Sequence, residues 1–147
     1  MKLDRNAICE LIPHAGTMCL LDGVETWDEN RIICTARTHY SPDNPLRSAR
    51  GVPAITALEY GAQAMAVHGG LRARIQRRCI SNGYLAAVHD ARFHIDRLDL
   101  VQQPLIIDAV RLISSDMNQI YQIEIRATKL SIAEARLTII NLLELER

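Results

Sequence analysis

GVPAITALEYGAQAMAVHGGL, residues Gly51 to Leu71, reads as a long helix that carries almost nothing suited to water. Pro53 fits a first helical turn, where its missing N–H costs nothing, and Gly69-Gly70 predicts the stop. Between them Ala54, Ala57, Gly61, Ala62, Ala64 and Ala66 put small residues on every face, so the helix is expected to be surrounded by protein. Between Arg50 and Arg72 the only formally charged residue is Glu59. A buried carboxylate is costly unless it is paired, so Glu59 either ion-pairs with an arginine such as Arg47 or Arg92 or is held for chemistry. The pattern favours chemistry.

Working outward, Asp4 to Leu11 predicts a short amphipathic helix with Asp4 near its start, broken by Pro13. Met18 to Trp27 is largely apolar, Asp28-Glu29-Asn30 is a turn cluster and Arg31 to Tyr40 is rich in β-formers, which together read as a hairpin. Ser41 to Arg50, with two prolines and Asp43-Asn44-Pro45-Leu46-Arg47, is a loop. After the central helix comes a basic turn, Arg72 to Arg78. Then Tyr84 to Ile95, Pro104 to Ile113, Gln119 to Thr128 and Ala133 to Leu145 read as strands, the last with some helix character from its Leu and Glu. One buried helix among antiparallel strands implies an α+β sheet curled around that helix. Such a sheet leaves an edge to be paired by a second copy.

The 147 residues suit one domain, and 17 basic against 17 acidic residues give a formal net charge of zero, which speaks against nucleic acid and against a membrane surface as partners. Cys9, Cys19, Cys34 and Cys79 show no C-x-x-C spacing, so zinc and a disulfide framework are both disfavoured and the thiols read as reduced. The opening MKLDRNAICEL has acids and no long apolar run, unlike a signal peptide or anchor. These features suggest a cytoplasmic protein without metal or cofactor.

Three segments resemble the 3-hydroxyacyl-acyl-carrier-protein dehydratases of the hotdog fold. Pro13-His14 through Asp22-Gly23-Val24 is similar to that family's opening Pro-His, apolar run and Asp-x-Val. Pro53 to Ala64 places Glu59 and Ala62-Gln63-Ala64 as the family places its acid. Asp90-Ala91-Arg92-Phe93 resembles a strand that follows the helix. A narrower likeness, to a branch associated with bacterial aryl polyene pigment biosynthesis, rests on Asn44-Pro45-Leu46-Arg47, Glu59-Tyr60, Ala62-Gln63-Ala64-Met65 and His68-Gly69-Gly70. The resemblance implies one hotdog domain over residues 1–147 that dehydrates 3-hydroxyacyl chains to trans-2-enoyl thioesters, as in fatty-acid or aryl-polyene biosynthesis. The acyl carrier protein, with its 4'-phosphopantetheine-bound acyl chain, would be one partner. The other would be a second hotdog subunit, in a homodimer or heterodimer. One departure stands out. The family's Gly-His-Phe-Pro histidine aligns with Pro45 here, and no histidine occurs between His39 and His68. Hotdog enoyl hydratases carry a histidine where this chain has Arg47.

Dehydrating a 3-hydroxyacyl thioester requires a base for the proton beside the carbonyl, an acid for the departing hydroxyl and donors for the enolate oxygen. Glu59 is the expected acid. Backbone N–H groups of Gly51, Val52 and Ala54, at the positive end of the helix, are the expected enolate donors. Among His14, His39, His68, His89 and His94, the base expected is His14, which lies in a matched motif. His68 falls on the far side of the helix from Glu59, and His89 and His94 sit on opposite faces of one strand. Gln63, one turn after Glu59, either orients the acid, bonds the substrate or packs as an ordinary amide, and Asn44 could serve the site from the loop. Two alternatives share the fold: a thioesterase using the same helix acid with water, and a catalytically silent subunit that pairs with an active dehydratase.

Overall fold

The structure, a computed structural model, describes residues 2–12, 18–77, 83–115 and 118–141. In chain order the elements are β1 (Leu3–Asp4), α1 (Arg5–Leu11), β2 (Gly23–Trp27), β3 (Arg31–Ala36), α2 (Ala57–Ile75), β4 (Gly83–Phe93), β5 (Leu105–Ser114), β6 (Asn118–Ala127) and β7 (Leu130–Asn141). The seven strands form one sheet in the order β1-β2-β3-β5-β6-β7-β4, with every neighbouring pair antiparallel. α2 lies across it on β3, β5, β6 and the margin of β7. This is the hotdog arrangement expected from the central stretch.

Period-two patterning turns one sheet face toward the helix. Ile107, Ala109, Ile123, Ile125, Ala133, Ala135 and Leu137 are buried beneath α2 together with Tyr60, Ala64 and Val67 from the helix itself. On the opposite face Asp108 of β5 receives Arg31 at 2.6 and 2.9 Å and has Arg126 at 3.6 Å. α2 comes so close to β6 that a Cβ at Gly61 would stand 2.8 Å from a methyl of Ile123. Only glycine leaves that gap.

α1 begins where expected: Asp4 is its N-cap and accepts the Ala7 N–H at 3.0 Å, a cap worth about 1 kcal/mol. The central helix differs at both ends. Pro53 is extended, a 3-10 turn occupies Ala54–Thr56, and the α-helix proper starts at Ala57. It passes through Gly69-Gly70 to Ile75, because α1 packs there: Leu11 would lie 3.3 Å from a Cβ at Gly70. Arg72 and Arg74 in the last turn suit the negative end of the dipole, and Arg77 closes the helix with φ 56°.

The first hairpin is shorter than the apolar runs suggest. Cys19, Leu20 and Leu21 are fully buried without being strand, and the chain after Ala36 turns into a 3-10 segment at Thr38–Tyr40. The Asp22 carboxylate accepts the Arg37 N–H at 2.6 Å and seals that corner. The thiols also differ from expectation, since Cys9 and Cys19 are joined as a disulfide. Cys34 is a buried free thiol whose pKa burial pushes up to about 12, and Cys79 lies outside the described residues.

Candidate active site

Glu59 sits in the first turn of α2 and is half-buried rather than enclosed. Along the helix Ala62, Ala66 and Gly69 are also half-buried, at spacings of three and four residues, while their neighbours Gly61, Gln63, Ala64, Met65, Val67 and His68 are buried. At the helix entrance Ile55 is 62 % exposed. One stripe of α2 is therefore left uncovered by its own sheet, a lane of small residues with the carboxyl group at its head.

The segment before the helix behaves differently from the reading above. Residues 51–54 lie beside residues 96–99: Leu98 N–H donates to Val52 O at 2.8 Å, Ala54 N–H to Asp96 O at 2.9 Å and Val52 N–H to the Asp99 carboxylate at 2.9 Å. Gly51 N–H donates to Ser48 O at 3.0 Å. The three backbone donors expected for an enolate are thus already engaged, those of Val52 and Ala54 by a second chain segment and that of Gly51 by the turn from Ser48. Gly51 has φ 92° and a Cβ there would collide with Arg97 and Asp99, so glycine is required. Asp99 is the hub. Arg97 and Arg47 both reach its carboxylate, and the Arg97 hydrogen bond, foremost, holds its pKa down at about 2. A depression of about 370 Å³ beside this hub is lined by Tyr40, Asp99 and Gln102.

Asn44 and Gln63 both hold backbone. The Asn44 amide donates to Thr38 O at 2.7 Å and to the Tyr60 hydroxyl at 3.1 Å, and its oxygen accepts the Leu46 N–H at 2.7 Å. Gln63 accepts the Leu20 N–H at 2.9 Å and donates to Met18 O at 2.7 Å. Each amide thereby fixes a loop against α2. Tyr60, beside Glu59 in sequence, meets Thr38 Oγ1 at 2.8 Å, and burial raises its pKa against the pull of those hydrogen bonds. The clue in the sequence was a tyrosine inside a helix of small residues, since a buried hydroxyl needs partners.

The histidines divide. His68 is fully buried, with Nε2 donating to Asp28 O at 2.7 Å and Nδ1 accepting from the Tyr121 hydroxyl. Burial, foremost, lowers its pKa, and burial lifts that of Tyr121 to about 12. His39 is also fully buried; its Nε2 bonds Val101 O at 2.8 Å, and burial lowers its pKa too. His89 is exposed on β4, opposite Arg136, and His94 lies 3.7 Å from Glu134. His14 lies outside the described residues.

β4 forms one edge of the sheet, beyond the cover of α2. Its Leu85, Val88 and Phe93 stand opposite Ile139, Leu137 and Ala133 of β7, so they share the helix-facing side of the sheet. They are nevertheless 36–40 % exposed. Among the described residues no strand pairs with the outer side of β4.

One long helix laid over a continuous antiparallel sheet defines a hotdog protein. Within that class the chain matches the ApeP-like family, described as ApeP dehydratase, over residues 6–147, and it belongs to that family. Among solved structures it resembles a chain of the dehydratase heterocomplex ApeI:P from Xenorhabdus doucetiae, with 22 % identity, a TM-score of 0.84, and coverage of 93 % of this chain and 91 % of that one. It also resembles the thioesterase HI1161 from Haemophilus influenzae, with 16 % identity, TM-score 0.61 and coverage of 99 % and 96 %. A hypothetical thioesterase with coenzyme A from Streptococcus pneumoniae follows at 9 % identity and TM-score 0.59, covering 81 % and 84 %. At these identities the neighbours establish the fold. No curated protein gives a significant match. Among the described residues no helix is long and apolar enough to cross a membrane.

Proposed function

We propose that the chain dehydrates 3-hydroxyacyl groups carried as thioesters on an acyl carrier protein, yielding trans-2-enoyl thioesters, and does so paired with a second hotdog subunit. Glu59, at the head of the small-residue lane on α2, carries this reading: a carboxyl group leads a half-buried stripe of Ala62, Ala66 and Gly69, small and apolar as the wall of an acyl channel must be. In the reaction a base removes the proton next to the thioester carbonyl, and Glu59 passes its proton to the 3-hydroxyl, which departs as water. His14 is the proposed base. His68 has both ring nitrogens committed and His39 is sealed in the core, whereas Gln63, one turn from Glu59, clamps Met18 and Leu20, a few residues beyond His14. The setting proposed is the cytoplasm, and the acyl chain proposed is of fatty-acid or aryl-polyene type.

Pairing through the β4 edge would cover Leu85, Val88 and Phe93 and extend the sheet. The ApeI:P structure is itself a heterocomplex, so a different hotdog chain is as suitable a partner as a second copy.

The test is turnover of a 3-hydroxyacyl carrier-protein substrate by the purified chain, alone and with a hotdog partner. Glu59→Gln keeps the shape and removes the ionisable proton, so the enoyl product should form at least roughly a hundredfold more slowly with the fold intact. Normal turnover by that variant would refute Glu59 as the acid. Free acid as product would favour the thioesterase, and silence lifted by a partner whose own acid is essential would favour the non-catalytic subunit.

A further inference from the structure

We propose that Cys9 and Cys19 form a reversible thiol–disulfide pair that locks α1 onto the Met18–Leu21 segment. Two sets of contacts that do not involve sulfur bring them together. α1 is seated by Ile8 and Leu11, both buried, with Leu11 against Gly70 of α2. The facing segment is seated by fully buried Leu20 and Leu21 and by the Gln63 amide, which binds on both sides of Cys19. Each anchor ends on the same central helix, so the two cysteines are presented to one another by the fold. Their Cα atoms lie 6.2 Å apart, within the span a disulfide bridges without moving backbone.

Exposure assigns an order to the chemistry. Cys9 is half-buried and Cys19 fully buried. The Cys9 thiolate attacks a low-molecular-weight disulfide such as oxidised glutathione, forming a mixed disulfide and releasing one glutathione thiolate. The Cys19 thiolate then attacks the Cys9 sulfur of that mixed disulfide and expels the second. Two protein thiols and one small disulfide become one protein disulfide and two small thiols, with the cysteine protons passing to the leaving thiolates. A reduced dithiol reverses both steps. Cys34, deep under the sheet, is excluded from the exchange by burial.

The pair is ten residues apart in sequence, so oxidation closes a short loop and restricts the unfolded chain. For a loop of that size in a chain of this length, the melting temperature should rise by roughly 5–10 °C on oxidation. The full chain is equilibrated with oxidised or reduced glutathione, free thiols are alkylated, and trypsin digests are weighed. Cleavage after Arg5 and Arg31 leaves both cysteines in one peptide, Asn6–Arg31, while Cys34 and Cys79 fall in two others. The oxidised sample should yield that peptide unalkylated and two hydrogens lighter, and reduction should restore two alkylated sites and lower the melting temperature. Cys9→Ser, a change at a half-exposed position, should melt like the reduced protein and ignore glutathione. Alkylation of both sites after oxidation, a bridge to Cys79, or a melting temperature indifferent to redox state would each overturn the proposal.

Discussion

His68→Leu isolates what the buried imidazole contributes. The ring ties α2 to two places at once: the Asp28 carbonyl at the β2–β3 turn and the Tyr121 hydroxyl on β6. Because Nε2 must donate to a carbonyl, Nδ1 is the acceptor and Tyr121 the donor. Leucine fills most of the volume but leaves the Tyr121 hydroxyl, 1 % exposed, without its partner, at about 1–3 kcal/mol. The bond to Asp28, beside exposed turn residues where water can replace it, adds about 0.5–1.5 kcal/mol. The expected loss is about 2–4 kcal/mol, read as a lower urea midpoint at unchanged slope; Trp27, the only tryptophan, has its ring 6.2 Å from His68 and reports the transition. Adding Tyr121→Phe removes the stranded hydroxyl, so the double variant should be more stable than the sum of the two losses. The pH profile gives a second readout. Burial lowers the folded-state pKa below the ordinary value of 6.5, so the unfolded chain binds more protons as the pH falls below 6.5. Wild-type stability should therefore decline from about pH 6.5 downward, and His68→Leu should flatten part of that decline while His39 keeps its own share. A loss under about 0.5 kcal/mol, or strict additivity with Tyr121→Phe, would refute the latch.

Other changes have sharp expectations. Gly61→Ala puts a methyl 2.8 Å from Ile123, so α2 must lift off β6; thermal or urea unfolding should show a loss of about 1–3 kcal/mol. Asp99→Asn frees Val52 N–H from a carboxylate and leaves Arg47 and Arg97 without their common partner. With the folded pKa at about 2 against an ordinary 3.8, the wild-type advantage is complete above pH 3.8 and fades as the pH falls toward 2, so stability curves of the two proteins should converge there. Val88→Lys sets a charge on the inner face of the edge strand β4; on the pairing proposed above, sedimentation should show a folded single chain where the wild type forms a pair, and equal pairing by both would move the interface elsewhere.

Much of this molecule is legible in its sequence. The run of small residues with one carboxylate identified α2, because a helix without a polar face has to be covered. The strands after Gly83 followed from period-two patterning and turn clusters, and Asp4 marked its helix start because a cap is a local interaction. What remained hidden was non-local. Whether Pro53 begins a helix depends on whether residues 96–99 offer it a neighbour; they do, and the backbone donors of Val52 and Ala54 are spent on that pairing while that of Gly51 closes a turn onto Ser48. Gly69-Gly70 has the composition of a stop, yet Leu11 fills the space above it and the helix continues. Cys9 and Cys19 lack any motif spacing, and only the packing of α1 and Leu20 against the same helix brings them into register. Glu59 was visible as an anomaly in a sequence of apolar neighbours, but the uncovered stripe below it exists because seven strands curl around one side of α2 and stop short of the other. Composition and period determine which elements form. Which backbone groups are already satisfied, and which face is left open, is decided when the elements meet.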